Sequence, residues 1–196
     1  MSGSHASTPV AARVRRLEER LIEAGLVAEP ELDDILARYL AGASPLNGAR
    51  IVARAWLDDD FRSRLLRDAN SAISELDLSM RGGLQQQRLK VVANTPRQHN
   101  VIVCTLCSCY PIGLLGPSPS WYKSEAYRSR VVREPRAVLG EFGLTLPGNV
   151  EIVVWDSTSE CRYLVLPLRP AGTEELTEDE LVGLVTREGL IGTAAV

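Results

Sequence analysis

From Pro9 onward, apolar residues return every three or four positions. Val10, Val14, Leu17, Leu21 and Ile22 form one stripe among arginines and glutamates, which predicts an amphipathic helix closed near Gly25, with Thr8-Pro9 as its cap and first position. A second helix is predicted over 31–41, opened by Pro30 and closed by Gly42, with Leu32, Ile35, Leu36, Tyr39 and Leu40 on one side. A third fits 48–57. A fourth fits 58–76, where Asp58, Asp59 and Asp60 suit the positive end of a helix and Phe61, Leu65, Leu66, Ala69, Ile73 and Leu76 continue an apolar face. After Arg81-Gly82-Gly83 the period changes. β-branched runs at 89–92 and 100–103 flank the turn signal Asn94-Thr95-Pro96, and two more, at 150–155 and 163–168, flank a polar stretch from Asp156 to Glu160. Helical segments are predicted at 124–132 and 136–142, broken at Pro135, and a last helix at 177–187 carries the capping box Thr177-Glu178-Asp179-Glu180. The expected class is α+β: a helical N-terminal arm over 1–80, then a layered α/β domain over 81–196. Residues 1–8 are kept out of this argument. The greasy side of the arm must be covered, either by its own domain or by another subunit.

Composition narrows the function classes. Of 196 residues, 45% are hydrophobic and 24% charged, which is globular and neither disordered nor fibrous. The net charge of -3 gives no global positive field, so neither nucleic acid nor an anionic membrane is an expected partner. Arg128, Arg130, Arg133 and Arg136 form a basic run, but without the interleaved aromatics of a base-stacking platform; a structural or subunit-interface role is expected. No apolar run approaches the ~18 residues of a membrane span, and 1–14 lacks the apolar stretch of a secretion signal; the expected location is cytoplasmic.

The candidate chemistry sits in the cysteines. Three of four fall in Cys104-Thr105-Leu106-Cys107-Ser108-Cys109, where a strand gives way to a Pro/Gly/Ser loop, whereas a disulfide scaffold would spread them. Several readings are open. The thiols could be reduced and merely structural. They could bind zinc, which needs a fourth ligand from distant Cys161 or His99, and an iron-sulfur cluster meets the same shortage. Or the loop could fold around one ion, so that three sulfurs converge with the main-chain nitrogens of Ser108 and Cys109. A sixth position then stays open on a strongly Lewis-acidic centre, which is a catalytic arrangement.

The cysteine motif, with Tyr110-Pro111, Trp121-Tyr122-Lys123, Tyr127-Arg128-Ser129-Arg130, Val154-Trp155-Asp156 and Leu166-Pro167-Leu168-Arg169-Pro170, resembles the alpha subunit of the nitrile hydratase family, with the metal subunit of thiocyanate hydrolase as a relative. The resemblance implies a non-corrin cobalt(III) or non-haem iron(III) centre. Its ligands would be the Cys104 thiolate, a Cys107 sulfinate, a Cys109 sulfenate and the amide nitrogens of Ser108 and Cys109. Thr105, where iron-type members have Ser, looks like the cobalt-type motif. The implied reaction is hydration of a nitrile to an amide, with Cys109 supplying the sulfenate oxygen and Gln85 matching a glutamine near the site. Asp156, Glu160 and Arg162 match a polar network around the metal loop, beside Thr105 and Tyr110; a cross-strand ion pair between Asp156 and Arg162 is the plainer reading of those two. The family works as a hetero-oligomer whose beta subunit supplies arginines to the oxidised sulfurs, sometimes with a third small subunit or activator.

One departure bears on the substrate. The family usually continues Cys-Tyr-Pro-Trp-Pro, whereas here Ile112-Gly113 follows Pro111. Loss of the indole removes a flat wall of the pocket, and Gly loosens the backbone. The expectation is a bulky heteroaromatic or nucleoside nitrile, as in the toyocamycin nitrile hydratases. Ala93 likewise stands where many members have Glu. Thiocyanate hydrolysis and a non-catalytic zinc-binding subunit are the competing readings.

Overall fold

The β-branched runs around Asn94-Thr95-Pro96 become β1 (Arg88–Ala93) and β2 (Gln98–Val103), yet these two strands do not pair with each other; the turn between them is closed by an isolated bridge, Thr95 to Gln98. Each pairs instead with a later strand. β1 runs parallel to β4 (Cys161–Leu166), and β2 runs parallel to β3 (Glu151–Asp156) with Val103 opposite Asp156. Parallel strands finish on the same side. The segments that leave β2 and β3, beginning with Cys104 and Ser157, are therefore neighbours, and the Ser157 amide donates to the Val103 carbonyl at 2.7 Å.

These strands and ten short helices, α1 to α10, make the α+β fold of the computed structural model, which describes residues 9–80, 87–107 and 109–196. α1 (Pro9–Glu23) and α2 (Glu29–Ala41) belong to one compact unit that ends at Ala41, and the rest of the chain, from Gly42, forms a second. The patterning placed the end of the arm near residue 80; the contacts instead group α3, α4 and α5 with the strands. α3 (Pro45–Leu57) starts earlier than expected because Ser44 accepts from the Leu46 amide and Pro45 opens the helix. Its small inner face, Gly48, Ala49, Ala53 and Ala55, permits close approach. A Cβ on Gly48 would stand 2.6 Å from Leu190 Cδ1 and 2.9 Å from the Leu114 carbonyl.

The single helix expected over 58–76 is two. α4 (Asp59–Arg67) stops at Asp68, which leaves helical geometry (φ -144°, ψ 86°) and accepts from the Ser71 amide, so α5 (Ala69–Ser74) begins afresh. A carboxylate that competes for backbone donors caps a new helix better than it continues an old one. The same happens near the C-terminus. α9 (Glu178–Leu184) has the expected Thr177–Glu180 capping box, but Val185 is extended and Thr186 caps a further helix, α10 (Arg187–Ile191). The Pro/Gly/Ser loop after the cysteines contains α6 (Ile112–Leu115) and a 3-10 turn (Ser120–Lys123), followed by α7 (Glu125–Val131) and α8 (Pro135–Glu141). The two helical segments expected on either side of Pro135 are present, and Pro135 itself opens α8.

The core joins β1, β2 and β4 to α3, α4, α5 and α10. Ile51, Leu65, Ile73, Ile102, Leu164 and Leu190 are fully buried, each contributing on the order of 2 kcal/mol. Gly192, at φ +89°, has its α-carbon against Asn100, and a Cβ there would collide with the Asn100 carbonyl. That contact fixes the C-terminal turn against β2. No described helix is long and apolar enough to cross a membrane.

Candidate metal centre

β2 enters the site fully buried through Val101, Ile102 and Val103 and hands over to Cys104, also fully buried. The chain then swings outward through Leu106, 88% exposed, and exposed Cys107, before Cys109 turns back inside. The sulfurs of Cys104 and Cys107 lie 3.3 Å apart, those of Cys107 and Cys109 3.1 Å, and all three fall within 4.8 Å of one another. They are the group of potential metal ligands found among the described residues. Cys161, in β4, stands outside the group. His99 is committed elsewhere, its ring nitrogens meeting the Gly192 carbonyl and the Asn94 amide. The triad therefore receives no fourth ligand from the two side chains that a zinc knot would need. Ser108 and Gln85 lie outside the described residues.

Several groups hold this loop. Asp156, at the end of β3, accepts from the Thr105 amide at 2.9 Å and from its hydroxyl at 2.5 Å. The register of β2 with β3 explains the meeting, since Asp156 is paired with the residue just before Cys104. From below, the fully buried Tyr122 donates its hydroxyl to the Cys109 carbonyl at 3.0 Å, and Tyr110 packs edge-on against it with centroids 5.0 Å apart. On the outer side Arg128, from α7, donates to the Cys107 carbonyl at 2.8 Å. Beside the loop, Arg128 and Thr105 border a shallow groove with Glu125, Ser129 and Val132.

Asp156 and Arg162 do not pair. Arg162, 8% exposed in β4, donates to the Thr158 carbonyl. Glu160 is folded into the same turn, where the Ser159 and Thr158 hydroxyls hold its carboxyl below the usual range. Glu160 thus shapes the turn that Arg162 grips through the Thr158 carbonyl. Burial pushes the Cys109 thiol up to about 12 and the Cys107 hydrogen bond acts the same way, while the Arg162 charge pulls it down. A strongly Lewis-acidic cation would offset the cost of thiolates in this dry setting.

Buried polar atoms test whether such a centre fits. Arg162 Nε, Arg128 Nε and the Tyr110 hydroxyl are buried without a hydrogen-bond partner. A native core rarely leaves such donors orphaned. Two belong to guanidinium groups that touch or face the cysteine loop, so the surroundings are built for more negative charge than three neutral thiols carry. The residues present fit an ion held by thiolates.

Ile112 opens α6 half-buried, and Asn47 holds the Gly113 carbonyl at 2.9 Å. A Cβ on Gly113 would meet only the Ser79 carbonyl, at 3.9 Å, so this position has room for a side chain that it lacks. The basic run is used within the chain. Arg130 pairs with Glu134 and Glu141, Arg133 donates to the Ser129 carbonyl, and Arg136 donates to the carbonyls of Leu146, Pro147 and Val150. Tyr122 and Arg128 were not singled out from the sequence for the loop, although both lie in motifs that carry the family resemblance.

The family model described as nitrile hydratase, alpha chain, matches residues 8–194. The low-molecular weight cobalt-containing nitrile hydratase subunit alpha of Rhodococcus rhodochrous is 51% identical over 185 residues, 94% of this chain and 88% of that protein. Thiocyanate hydrolase subunit gamma of Thiobacillus thioparus is 42% identical over 186 residues, 91% and 76% of the two chains. Among solved structures, a double mutant of the Fe-type nitrile hydratase from Comamonas testosteroni Ni1 superposes with a TM-score of 0.87 at 41% identity, covering 95% of this chain and 89% of that one.

Proposed function

The chain belongs to the nitrile hydratase alpha-chain family, and from that premise we propose that it is the metal-bearing alpha subunit of a cobalt nitrile hydratase, hydrating a nitrile to its amide. The observation that carries this reading is the sulfur triad at the end of β2, drawn within 4.8 Å and bordered by the Arg128 guanidinium, which holds the Cys107 carbonyl. The sulfurs of Cys104, Cys107 and Cys109 and the main-chain nitrogens of Ser108 and Cys109 are the ligands, with Cys107 as sulfinate and Cys109 as sulfenate. Thr105 and the cobalt-containing relative favour Co(III); Fe(III) is the alternative. When bound, the ion supplies a Lewis-acidic open position that polarises a C≡N bond.

The chain's own groups do the rest. Arg162 meets the charge at Cys109, Asp156 fixes Thr105 and so the entry to the loop, and Tyr122 fixes the exit at the Cys109 carbonyl. The Cys109 sulfenate oxygen either attacks the nitrile carbon or takes a proton from water, and Gln85 is assigned to the reacting side of the pocket. A single turnover in ¹⁸O-water separates the two roles, because attack by the sulfenate puts unlabelled oxygen into the first amide formed.

Ile112 and the room beside Gly113 support a bulky heteroaromatic or nucleoside nitrile as substrate. The beta subunit is the expected partner and the N-terminal arm its docking element, since Val10, Val14 and Leu17 on α1 are each more than half exposed. The deciding experiment is elemental analysis of the chain co-expressed with its beta subunit, with mass spectrometry of the cysteine peptide and rates on acrylonitrile, a nucleoside nitrile and thiocyanate. Cobalt, two oxygens on Cys107, one on Cys109 and a preference for the nucleoside nitrile are expected. Zinc with unoxidised thiols overturns the reading, and carbonyl sulfide from thiocyanate without amide formation transfers it to thiocyanate hydrolysis.

A further inference from the structure

Arg128 differs from the other arginine on its helix. Arg130 is neutralised by Glu134 and Glu141, but among the described residues Arg128 takes part in no ion pair. Its Nε is buried without an acceptor, and its Nη1 reaches the Cys107 carbonyl at 2.8 Å. α7 does not place it there loosely. Tyr127, the preceding residue, is 5% exposed and donates its hydroxyl to the Ile102 carbonyl at 2.7 Å, which ties the helix to the strand that delivers the cysteines.

The acceptor is informative. The Cys107 carbonyl belongs to the peptide unit whose nitrogen is that of Ser108. In a planar trans peptide the carbonyl and the N–H point opposite ways, so a group that grips the oxygen acts on the peptide unit as a whole. The same resonance links the two atoms electronically: charge placed on the nitrogen is shared with the oxygen. A guanidinium on that oxygen, lacking a carboxylate of its own, is matched to charge that the loop carries only when the nitrogen binds an ion in place of its hydrogen.

We propose that Arg128 is a positioning residue for main-chain ligation: it orients the Cys107–Ser108 peptide and takes up the charge that ligation delivers to the Cys107 carbonyl. This rests on the metal centre argued above. The unused buried Nε accounts for the uncompensated cation in the metal-free chain, since the guanidinium is set for a more negative loop than free thiols provide.

The test compares Arg128→Gln and Arg128→Lys with the unaltered chain, each co-expressed with the beta subunit in cobalt medium, and Arg133→Gln as a control just beyond the same helix. Three readouts are taken: cobalt retained after a chelator challenge, the sulfur-to-cobalt absorption band, and Zn²⁺ affinity of the metal-free chain. Zn²⁺ binds the thiolates without requiring the amide nitrogen. The expected result is a tenfold or greater loss of chelator-resistant cobalt and a shifted band in Arg128→Gln, partial recovery in Arg128→Lys, and zinc affinity within about twofold of the unaltered chain. Equal cobalt retention with an unshifted band overturns the proposal. So does parallel loss of cobalt and zinc, which would make Arg128 a general support of the loop. Failure of the unaltered chain to take up cobalt or iron would instead remove the metal-centre reading itself, so the two failures are told apart.

Discussion

β2 has a buried polar cluster at each end, and the two are built on opposite principles. At its start every member has a partner. Asn94 Oδ1 accepts from the Asn100 amide and side chain, Asn100 Oδ1 accepts from Gln98 and Trp155, Asn100 Nδ2 also reaches the Ala93 carbonyl, and His99 bridges Asn94 and the Gly192 carbonyl. At its finish, around the cysteines, two guanidinium nitrogens and the Ser157 hydroxyl have none. A satisfied network stabilises and specifies a fold; an unsatisfied one, in a protein that keeps it, marks a place where something else is to be bound. The strand is anchored at one end so that it can present an incomplete site at the other.

Substitutions at the two ends should break differently. The largest effect on stability is expected for Asn100→Ala, which removes four hydrogen bonds made by a fully buried side chain and should cost about 3 kcal/mol or more in urea unfolding. The thiol triad of the molecules that remain folded should still bind metal. Arg162→Met should do the reverse. It removes a buried cation without a carboxylate partner, so the metal-free chain should unfold within about 1 kcal/mol of the parent, while turnover of the loaded complex falls roughly 10- to 100-fold. A large stability loss in Arg162→Met, or normal turnover, would erase the contrast.

The smallest expected effect is a pH dependence at the anchored end. Burial lowers the pKa of His99 below its ordinary 6.5, opposed by the Gly192 carbonyl. The group is neutral in the folded chain, with one nitrogen donating to Gly192 and the other accepting from Asn94. Because the folded pKa lies below the unfolded one, the unfolded chain binds the proton first as pH falls. The contribution is therefore complete above about pH 6.5 and is lost as pH drops toward the depressed folded value, by at most about 1.4 kcal/mol per unit. Urea midpoints at pH 7.5 and 5.5 measure it. Replacing His99 by Gln, which keeps a side-chain donor and acceptor, should flatten that part of the slope.

Much of the site was legible along the chain because its core is local. Cysteines three and two residues apart at a strand end must gather their sulfurs once the chain turns, and the change of course was announced by the Pro/Gly/Ser loop beyond them. The expected partnership of Asp156 with Arg162 was a different matter. It assumed that the two strands after residue 150 pair with each other, whereas each pairs with an earlier strand, so the acid went to Thr105 and the guanidinium to Thr158. The helix over 58–76 was overextended for a related reason: its apolar stripe passes through Asp68 without a gap, and only the competing cap reveals the break.

The sequence alone determined the helical and extended segments, the clustering of three thiols and the chemistry they can support, because each depends on residues within a turn or two of one another. Which distant groups surround those thiols was decided by tertiary structure. The parallel register of β2 with β3 brought Asp156 to the loop, the pairing of β4 with β1 buried Arg162 against the Thr158 carbonyl, and the docking of α7 through Tyr127 aimed Arg128 at a peptide carbonyl. The physical reason is that spacing along a chain fixes direction only over a few residues, while strand pairing and burial choose among many possible neighbours by the free energy of the whole core.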